Sequence, residues 1–183
     1  MHQVNLSLAA AFPVAMRHEA LSALEHFPQP QHAPAPPFHV GIGDETIAIP
    51  YRIYNQTDLI TTTSLTDHQQ HLMDCLLTRH CSGFIRQRHL HNIIRVAQPW
   101  VPPFVVQLLG EYVVNITTVI HQNLGALDRS LYREFLSANP KFFALTVQRV
   151  TSYWDCYYRE YPRDEYVGFK AVNFFRSLIH TAS

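Results

Sequence analysis

Residues 102–124, PPFVVQLLGEYVVNITTVIHQNL, are apolar on nearly every side when they are drawn as a helix. A helix without a polar face has to be buried, in a membrane or among other helices. Polar side chains interrupt the run, which argues against a membrane span. Two prolines begin the run, where a first helical turn has spare N–H groups, and Gly125 follows it. We therefore expect one continuous helix, residues 104–124, at the centre of a helical bundle.

Shorter helices are predicted on both sides of this segment. Thr66 followed three residues later by Gln69 is a capping-box signature, which predicts a helix from there to about residue 80. Apolar periodicity and flanking prolines predict further helices at residues 84–97, 128–138, 142–161 and 165–180. Five or six helices joined by short turns predict a mainly α fold, a compact multi-helix bundle built from helical hairpins.

The N-terminal part of the chain has a different pattern. Residues 28–37, PQPQHAPAPP, are too rich in proline for a helix or a sheet interior. Residues 38–54 have the pattern of a small β-hairpin, with Gly43-Asp44 in the turn and Pro50 near the end of the second arm. We therefore expect a flexible Pro-rich arm at 1–37, with a short amphipathic helix at 14–27, and a single α-helical domain at 38–183.

The charge balance and the cysteines restrict the function classes. The 14 basic residues are matched by 14 acidic ones and the pI is near 7.2, so no overall field attracts nucleic acid or an anionic membrane. Three cysteines without a framework spacing favour a reducing compartment with free thiols. The apolar N-terminal run lacks the basic residue that precedes it in a secretory signal. We therefore expect a cytoplasmic protein that does not enter a membrane.

One stretch carries a local positive charge. Residues 79–95, RHCSGFIRQRHLHNIIR, contain four arginines, and no acidic residue occurs from residue 75 to residue 110. On a helix, Arg88, His91 and Arg95 fall at i, i+3 and i+7 and form a basic stripe, with Arg86 nearby. These four residues are candidates for contacting an acidic protein surface or a phosphate group, and nucleic acid is a third candidate partner. The alternative interpretation is an ordinary solvated helix face.

The same stretch resembles the second helix of a HEAT repeat. Ile85-Arg86 stands where that helix commonly has Val-Arg, and the apolar positions beyond it hold Leu90, Ile93 and Ile94. His89 departs from the pattern, because a small residue is usual there. The resemblance implies a helical-hairpin scaffold whose exposed faces bind partners. Three segments, RH…GFIRQR, PWVPPFVVQLLGEYV and SYWDCYYR, also resemble uncharacterised bacterial α-helical proteins, and this resemblance implies no activity.

Histidine and cysteine side chains at helical spacing raise the question of a metal site. His68, His71 and Cys75 fall at i, i+3 and i+7 on one predicted helix, and their side chains suit zinc. The chain has no CxxC pair and no HExxH motif. Free cysteine also packs readily in cores. We therefore predict no metal and no other cofactor, and we expect Cys75 to pack inward.

Polar residues recur every four positions in the central segment, at Gln107, Glu111 and Asn115. A glutamate in a core helix needs a cation, hydrogen-bond donors or a proton. The helix at 142–161 offers Arg149 as such a cation. One hypothesis is a pocket in which Glu111 is a general acid or base and Arg149 anchors an anion, with further candidates Tyr153, Trp154, Asp155 and Tyr157. A structural Glu–Arg bridge or a solvent-facing stripe explains the same pattern, and Asp155 is also spaced to pair with Arg159.

The functional prediction follows from the motifs that are missing as well as from those present. The chain has no nucleophile elbow, P-loop or dinucleotide fingerprint, and we predict no catalytic residue. The expected function is a non-catalytic interaction or scaffold module that binds an acidic or phosphate-bearing partner, another protein in the first instance, through the basic helix face. The alternative is a small-molecule enzyme or ligand-binding protein that uses the pocket around Glu111 and Arg149.

Overall fold

The computed structural model describes residues 2–28, 30, 32–56 and 65–180. Within them the protein is mainly helical, with 61% helix and a two-stranded antiparallel β-hairpin. This confirms the fold class predicted from the sequence. The chain divides into two compact units, Met1–Ile93 and Ile94–Ser183. This division differs from the expected one, which placed a boundary after residue 37.

The first unit contains, in chain order, α1 (His2–Ala9), α2 (Arg17–Leu24), β1 (Pro37–Ile42), β2 (Glu45–Pro50), α3 (Asp67–Leu77) and α4 (Gly83–Ile93). Helix α3 begins where the capping box predicts. The Thr66 hydroxyl accepts the N–H of Gln69, and the Gln69 side chain accepts the N–H of Thr66. Helix α3 packs against both α2 and α4, so it occupies the middle of the helical part of this unit.

The β-hairpin forms where the sequence predicts it. Strands β1 and β2 pair with Val40 opposite Ile47, and both side chains are buried. Gly43, in the turn, has a φ of +55°, a conformation that glycine adopts without steric cost. Pro37 and Pro50 face each other at the open end of the hairpin, where a missing N–H donor interrupts the fewest ladder bonds.

Helices α1 and α2 lie in the part of the chain that the sequence analysis expects to be a flexible arm. The N–H of Ala48 in β2 donates to the carbonyl oxygen of Ala10 at 2.9 Å. Each large apolar side chain that is buried contributes about 1.5–3 kcal/mol to stability, which favours docking of this segment over an extended arm. The buried set includes Leu8, Phe12 and Leu24. Residues 29 and 31 of the proline-rich run lie outside the described residues.

The second unit contains α5 (Pro102–Leu109), α6 (Val114–Asn123), α7 (Arg129–Ala138), α8 (Pro140–Tyr157) and α9 (Val167–His180). Every residue of α5 is buried, and α5 contacts α6, α7, α8 and α9. The first part of the apolar segment is therefore the central helix of this unit, as predicted. Helix α7 begins after Asp128, whose carboxylate accepts the N–H groups of Ser130 and Leu131.

The prediction of one continuous helix at 104–124 is wrong, because the chain leaves the helix between Gly110 and Val113. Glycine costs about 1 kcal/mol in a helix interior relative to alanine. Gly110 also lies against α8, since a Cβ at this position would be 3.1 Å from Cδ of Arg149. Val113 has the extended backbone (φ −83°, ψ 101°) from which α6 starts in a new direction.

Several other helices end earlier than predicted, among them α4 and α8. Helix α4 ends at Ile93 instead of residue 97, and α8 ends at Tyr157 instead of residue 161. Tyr158 leaves the helix at φ −135° and ψ 24°, and its ring stacks on Tyr166. Ring packing thus takes the place of a further helical turn. None of the described helices has the length and hydropathy that crossing a membrane requires.

Candidate functional site

The C-terminal end of α8 carries tyrosine rings that contact one another at the surface. The ring centroids of Tyr112 and Tyr153 are 6.3 Å apart, those of Tyr153 and Tyr157 are 6.3 Å apart, and those of Tyr157 and Tyr158 are 6.4 Å apart. Tyr112 is 55% exposed and Tyr157 is 62% exposed. We call these four residues the tyrosine face. Aromatic pairs at such distances attract each other by about 0.5–1.5 kcal/mol, so the rings order one another.

The turn between α8 and α9, residues 158–166, supports the tyrosine face. The Tyr158 hydroxyl donates to the carbonyl oxygen of Tyr112 at 2.7 Å, and the Tyr158 ring stacks on Tyr166 at 5.4 Å. Burial raises the pKa of Tyr166 to about 12, and Tyr158 adds to the rise, so this phenol stays neutral. Gly168 leaves the space that the Tyr166 ring occupies, since a Cβ there would lie 2.5 Å from its Cε1.

Trp154 connects this turn to α9. Its indole N–H donates to the carbonyl oxygen of Tyr161 at 2.9 Å, and its ring meets Phe169 edge-on at 5.6 Å. The guanidinium carbon of Arg163 lies 5.1 Å from the Trp154 centroid and 4.7 Å from the Phe169 centroid. Arg163 is therefore held by cation–π contacts within the unit.

Charged residues follow the tyrosine face closely in the chain. Asp155, in the last turn of α8, pairs with Arg159 just beyond the end of the helix, with Arg159 Nε 2.8 Å from Asp155 Oδ1. Both arginines of the turn therefore have partners within the protein. Arg159 contacts Asp155, and Arg163 contacts two aromatic rings. The exposed carboxylates of the same turn are Glu160, Asp164 and Glu165. The turn that follows the rings in the chain therefore carries more carboxylates than arginines.

The two central residues of the pocket hypothesis are Glu111 and Arg149. Glu111 lies at the break between α5 and α6, and Arg149 reaches this break from α8. Glu111 is 4% exposed, and the Arg149 side chain packs beside Gly110. Burial lowers the pKa of Arg149, while Tyr153 has the opposite effect. Asn115 is exposed, because the chain changes direction between the two helices. The polar strip of the sequence analysis therefore does not run along one edge of a helix, although Gln107 is buried.

A cavity of about 470 Å³ lies elsewhere in the second unit, between the end of α7, the start of α8 and the end of α9. None of the six pocket candidates lines this cavity. Tyr157 and Asp155 are exposed, and the aromatic candidates contact one another. This arrangement favours a recognition surface over an enclosed site around Glu111, and the pocket stays a prediction.

Arg86 does not lie on an exposed stripe. It is 1% exposed, and its Nη1 donates to the carbonyl oxygens of His80 and Cys81 at 2.8 Å each. Charge-assisted bonds of this kind are stronger than those between neutral groups. Arg86 therefore fastens α4 to the α3–α4 connection, which differs from its expected role in contacting a partner.

The other three residues of the predicted basic stripe are exposed. Arg88 and His91 lie on α4, one turn apart. Arg95 lies beyond the end of α4, where its Nε donates to Asn123 Oδ1 at 3.1 Å. The helix itself therefore presents Arg88 and His91, and the predicted stripe is shorter than the sequence pattern indicates.

A buried polar network that the sequence analysis missed lies between α3 and α4. Asp74 is 1% exposed, and its Oδ1 contacts His89 Nδ1 at 2.5 Å and accepts from Asn92 Nδ2 at 3.2 Å. Asp74 stands between Met73 and Cys75 in an apolar run. Its place in that run is the sequence signal that could have indicated a buried carboxylate. The network satisfies a buried carboxylate, and it is an ordinary way to join two helices.

His80 is held in its neutral form. Its Nδ1 accepts the N–H of Ser82 at 3.0 Å, which leaves Nε2 to donate to the carbonyl oxygen of Asn55 at 2.9 Å. Burial is the main cause that lowers the pKa of His80 from 6.5, and the charge of Arg86 acts in the same direction. The Cys81 thiol lies 3.8 Å from Nδ1, but that nitrogen is already engaged by Ser82.

Acidification should therefore destabilise the first unit. Below pH 6.5 the unfolded chain protonates His80 more readily than the folded chain does, so stability falls as pH drops from 6.5 towards the folded pKa. The contribution is at most about 1.4 kcal/mol per pH unit. Urea unfolding between pH 7.5 and 5.5 should show a shallower pH dependence for His80→Gln. The exposed His91→Gln is the control, and equal slopes for both variants would contradict the assignment.

Within the described residues, the candidate zinc ligands His68, His71 and Cys75 do not form a metal site. Cys75 is fully buried in α3, as expected, and burial together with Asp74 raises the pKa of its thiol well above 9.0. His68 Nε2 lies 3.3 Å from Met16 Sδ and 3.5 Å from a Glu19 carboxylate oxygen. Over the described ranges, no group of three histidine, cysteine or carboxylate side chains is placed to hold a metal ion.

The chain matches no family model, no curated protein and no solved structure. The HEAT resemblance at residues 84–97 therefore stays a prediction. Helices α3 and α4 are consecutive and pack against each other, which is compatible with the hairpin that the resemblance implies.

Proposed function

We propose that the chain is a non-catalytic interaction module that binds an Arg- or Lys-containing segment of another protein on the tyrosine face. The observation that carries the proposal is a set of contacting tyrosine rings with Tyr112 and Tyr157 more than half exposed. Clustered exposed aromatic side chains are uncommon on surfaces that bind nothing. Tyrosine is enriched among the residues that contribute most to protein interfaces.

The charges around the rings support a basic partner. Arg159 is paired with Asp155, and Arg163 is held over Trp154 as an exposed cation, so only the charge of Arg159 is balanced by a direct partner. The remaining exposed carboxylates are those of Glu160, Asp164 and Glu165. A guanidinium or ammonium group over a tyrosine ring gains about 0.5–2 kcal/mol, and a neighbouring carboxylate adds to the attraction.

Order in the free protein also supports binding. The Tyr158 hydroxyl is tied to the Tyr112 backbone at 2.7 Å, and Tyr153 lies between two ring neighbours. Rings that are held before a partner arrives lose less conformational entropy on binding. The same contacts favour binding over catalysis. The tyrosine rings and the Tyr158 hydroxyl hold an exposed surface in place and do not line an enclosed reaction site.

The basic face of α4 is a second candidate. Arg88 and His91 are exposed one turn apart, and α4 contains no acidic residue. This face fits an acidic protein segment or a phosphate group, as the sequence analysis expects. It is smaller than that analysis implies, since Arg86 is buried and Arg95 lies beyond α4.

The test uses two labelled synthetic peptides of the same length, one alternating arginine with glycine and the other glutamate with glycine. Fluorescence anisotropy should show binding of the arginine peptide, and Tyr157→Ala should weaken it about tenfold, as loss of an interface aromatic does. Phe84→Ala is the matched control, because Phe84 is an 86% exposed aromatic residue on α4. Its affinity should equal that of the unmodified protein.

The same titrations separate the two candidates. If the tyrosine face is the site, the glutamate peptide does not bind and Arg88→Glu leaves the arginine peptide unaffected. Preferential binding of the glutamate peptide, lost in Arg88→Glu, would replace the proposal by the basic-face candidate. Equal affinities of Tyr157→Ala and Phe84→Ala would remove the tyrosine face. Circular dichroism on each variant confirms that the fold is retained.

A further inference from the structure

The cavity at the ends of α7 and α9 has apolar walls and a cationic rim. Leu136, Phe143, Val147 and Ile179 line it, so side chains from three helices supply the walls. Its volume of about 470 Å³ lies within the range of small-molecule sites, about 300–1,000 Å³. The cavity is open to solvent, since Ala144, Arg176 and His180 of its lining are exposed, so a ligand can enter it and cover its apolar walls.

The polar side chains of the cavity indicate the charge of a ligand. Arg176 and His180 lie one turn apart on α9 and both are exposed at the cavity, while Ser137 is the remaining side chain with a hydrogen-bonding group. The lining contains no carboxylate. A guanidinium with five donors binds a carboxylate in a forked, two-bond geometry. The rim therefore complements an anion, and the walls complement a hydrocarbon.

We propose that this cavity binds a single molecule of a free acyl-chain carboxylate. The hydrocarbon chain would lie between α7, α8 and α9, and the carboxylate would contact Arg176. The site shares no residue with the tyrosine face, and the proposal does not depend on the proposed function. Burial of the chain supplies the affinity, because each methylene removed from water strengthens binding about fourfold. The head group supplies the selectivity for an anion over a neutral or cationic amphiphile.

Titration calorimetry of the full chain with decanoate, octanoate, decanol and decyltrimethylammonium tests the proposal. Decanoate should bind at least tenfold more tightly than decanol or the ammonium compound. Octanoate, shorter by two methylenes, should bind about fifteenfold more weakly than decanoate, from about fourfold per methylene. All ligands are used below their micelle concentrations. Equal affinities for the three head groups would overturn the proposal.

Two variants place the ligand in the cavity. Arg176→Glu should weaken decanoate binding at least tenfold and leave decanol unchanged, and Lys170→Glu is its matched control as an exposed cation of α9 outside the lining. Ala144→Trp, at an exposed position of the lining, should fill the cavity and abolish binding without disturbing the core. Equal effects of Arg176→Glu and Lys170→Glu, or full binding by Ala144→Trp, would overturn the assignment.

The source of the acyl chain is a separate arm of the experiment. Flotation with phosphatidylglycerol and phosphatidylcholine vesicles shows whether the protein takes the chain from a bilayer. The proposal expects decanoate binding with no vesicle association. Vesicle association without binding of monomeric decanoate would overturn it in favour of a lipid surface.

Discussion

Replacement of Arg86 by Met is expected to destabilise the first unit by about 2–4 kcal/mol, because one buried and one partly buried carbonyl group lose their donor, at about 1–3 kcal/mol for the buried group and less for the other. Those groups belong to His80 and Cys81, which both accept from Arg86 Nη1 at 2.8 Å. Methionine keeps an unbranched apolar stem but cannot donate. Urea unfolding followed by circular dichroism measures the loss, and hydrogen exchange locates it in α4. Circular dichroism is used because both tryptophans, Trp100 and Trp154, belong to the other unit.

Arg88→Met is the matched control for this prediction. It makes the same chemical change two residues away on the same helix, at an exposed side chain. Surface substitutions of this kind change stability by no more than about 0.5 kcal/mol. Similar unfolding midpoints for the two variants would show that the Arg86 bonds do not hold the α3–α4 connection in solution.

The burial of Arg86 could have been predicted from the helical pattern alone. Arg86, Leu90 and Ile93 fall at i, i+4 and i+7, and these are the buried residues of α4. By residue type, however, an arginine fits the charged stripe, so residue type and position indicate different sides of this helix. The acceptors of its hydrogen bonds could not be predicted, because the carbonyls of His80 and Cys81 point at it only once the α3–α4 turn is formed.

The break in the central segment shows a different limit. Local signals predicted both the capping box at Thr66 and the turn at Gly43, because each depends on neighbouring residues alone. Gly110 carries a local signal as well, but an isolated glycine in an apolar run is compatible with a continuous helix. The Arg149 side chain of α8 also packs closely against Gly110, where the helix breaks. A contact between segments so far apart in the sequence cannot be recognised from either segment alone.

The tyrosine face follows from the length of α8. Phe143, Thr146 and Val150 form the buried side of this 18-residue helix, and Tyr157 continues the same stripe by a further two turns. The sequence shows the stripe but not where the covering helices stop, so the same aromatic residues are also compatible with a pocket. Beyond Val150 the stripe reaches the surface, and its rings pack on each other and on the turn at 158–166.

The turn at residues 158–166 supports the tyrosine face, and Gly168 packs against Tyr166 of this turn. Gly168→Ala therefore tests whether that packing stabilises the second unit. A Cβ at residue 168 would lie 2.5 Å from Cε1 of Tyr166 and 3.0 Å from Cγ1 of Val150, so the buried Tyr166 ring has to move. Overpacking of this kind costs about 1–3 kcal/mol, more than the helix propensity gained on replacing glycine by alanine. We expect a net destabilisation of about 1–2 kcal/mol in urea unfolding followed by tryptophan fluorescence.

The same substitution should also weaken binding of the arginine peptide, because displacement of Tyr166 removes the ring on which Tyr158 stacks at 5.4 Å. Gly125→Ala is the matched control, since a Cβ there meets no atom within 4 Å and the backbone of Gly125 does not have a positive φ. That variant should be as stable as the unmodified protein or slightly more stable, with unchanged peptide affinity. If Gly168→Ala behaved as Gly125→Ala does, the packing of Tyr166 against α9 would not be what orders the tyrosine face.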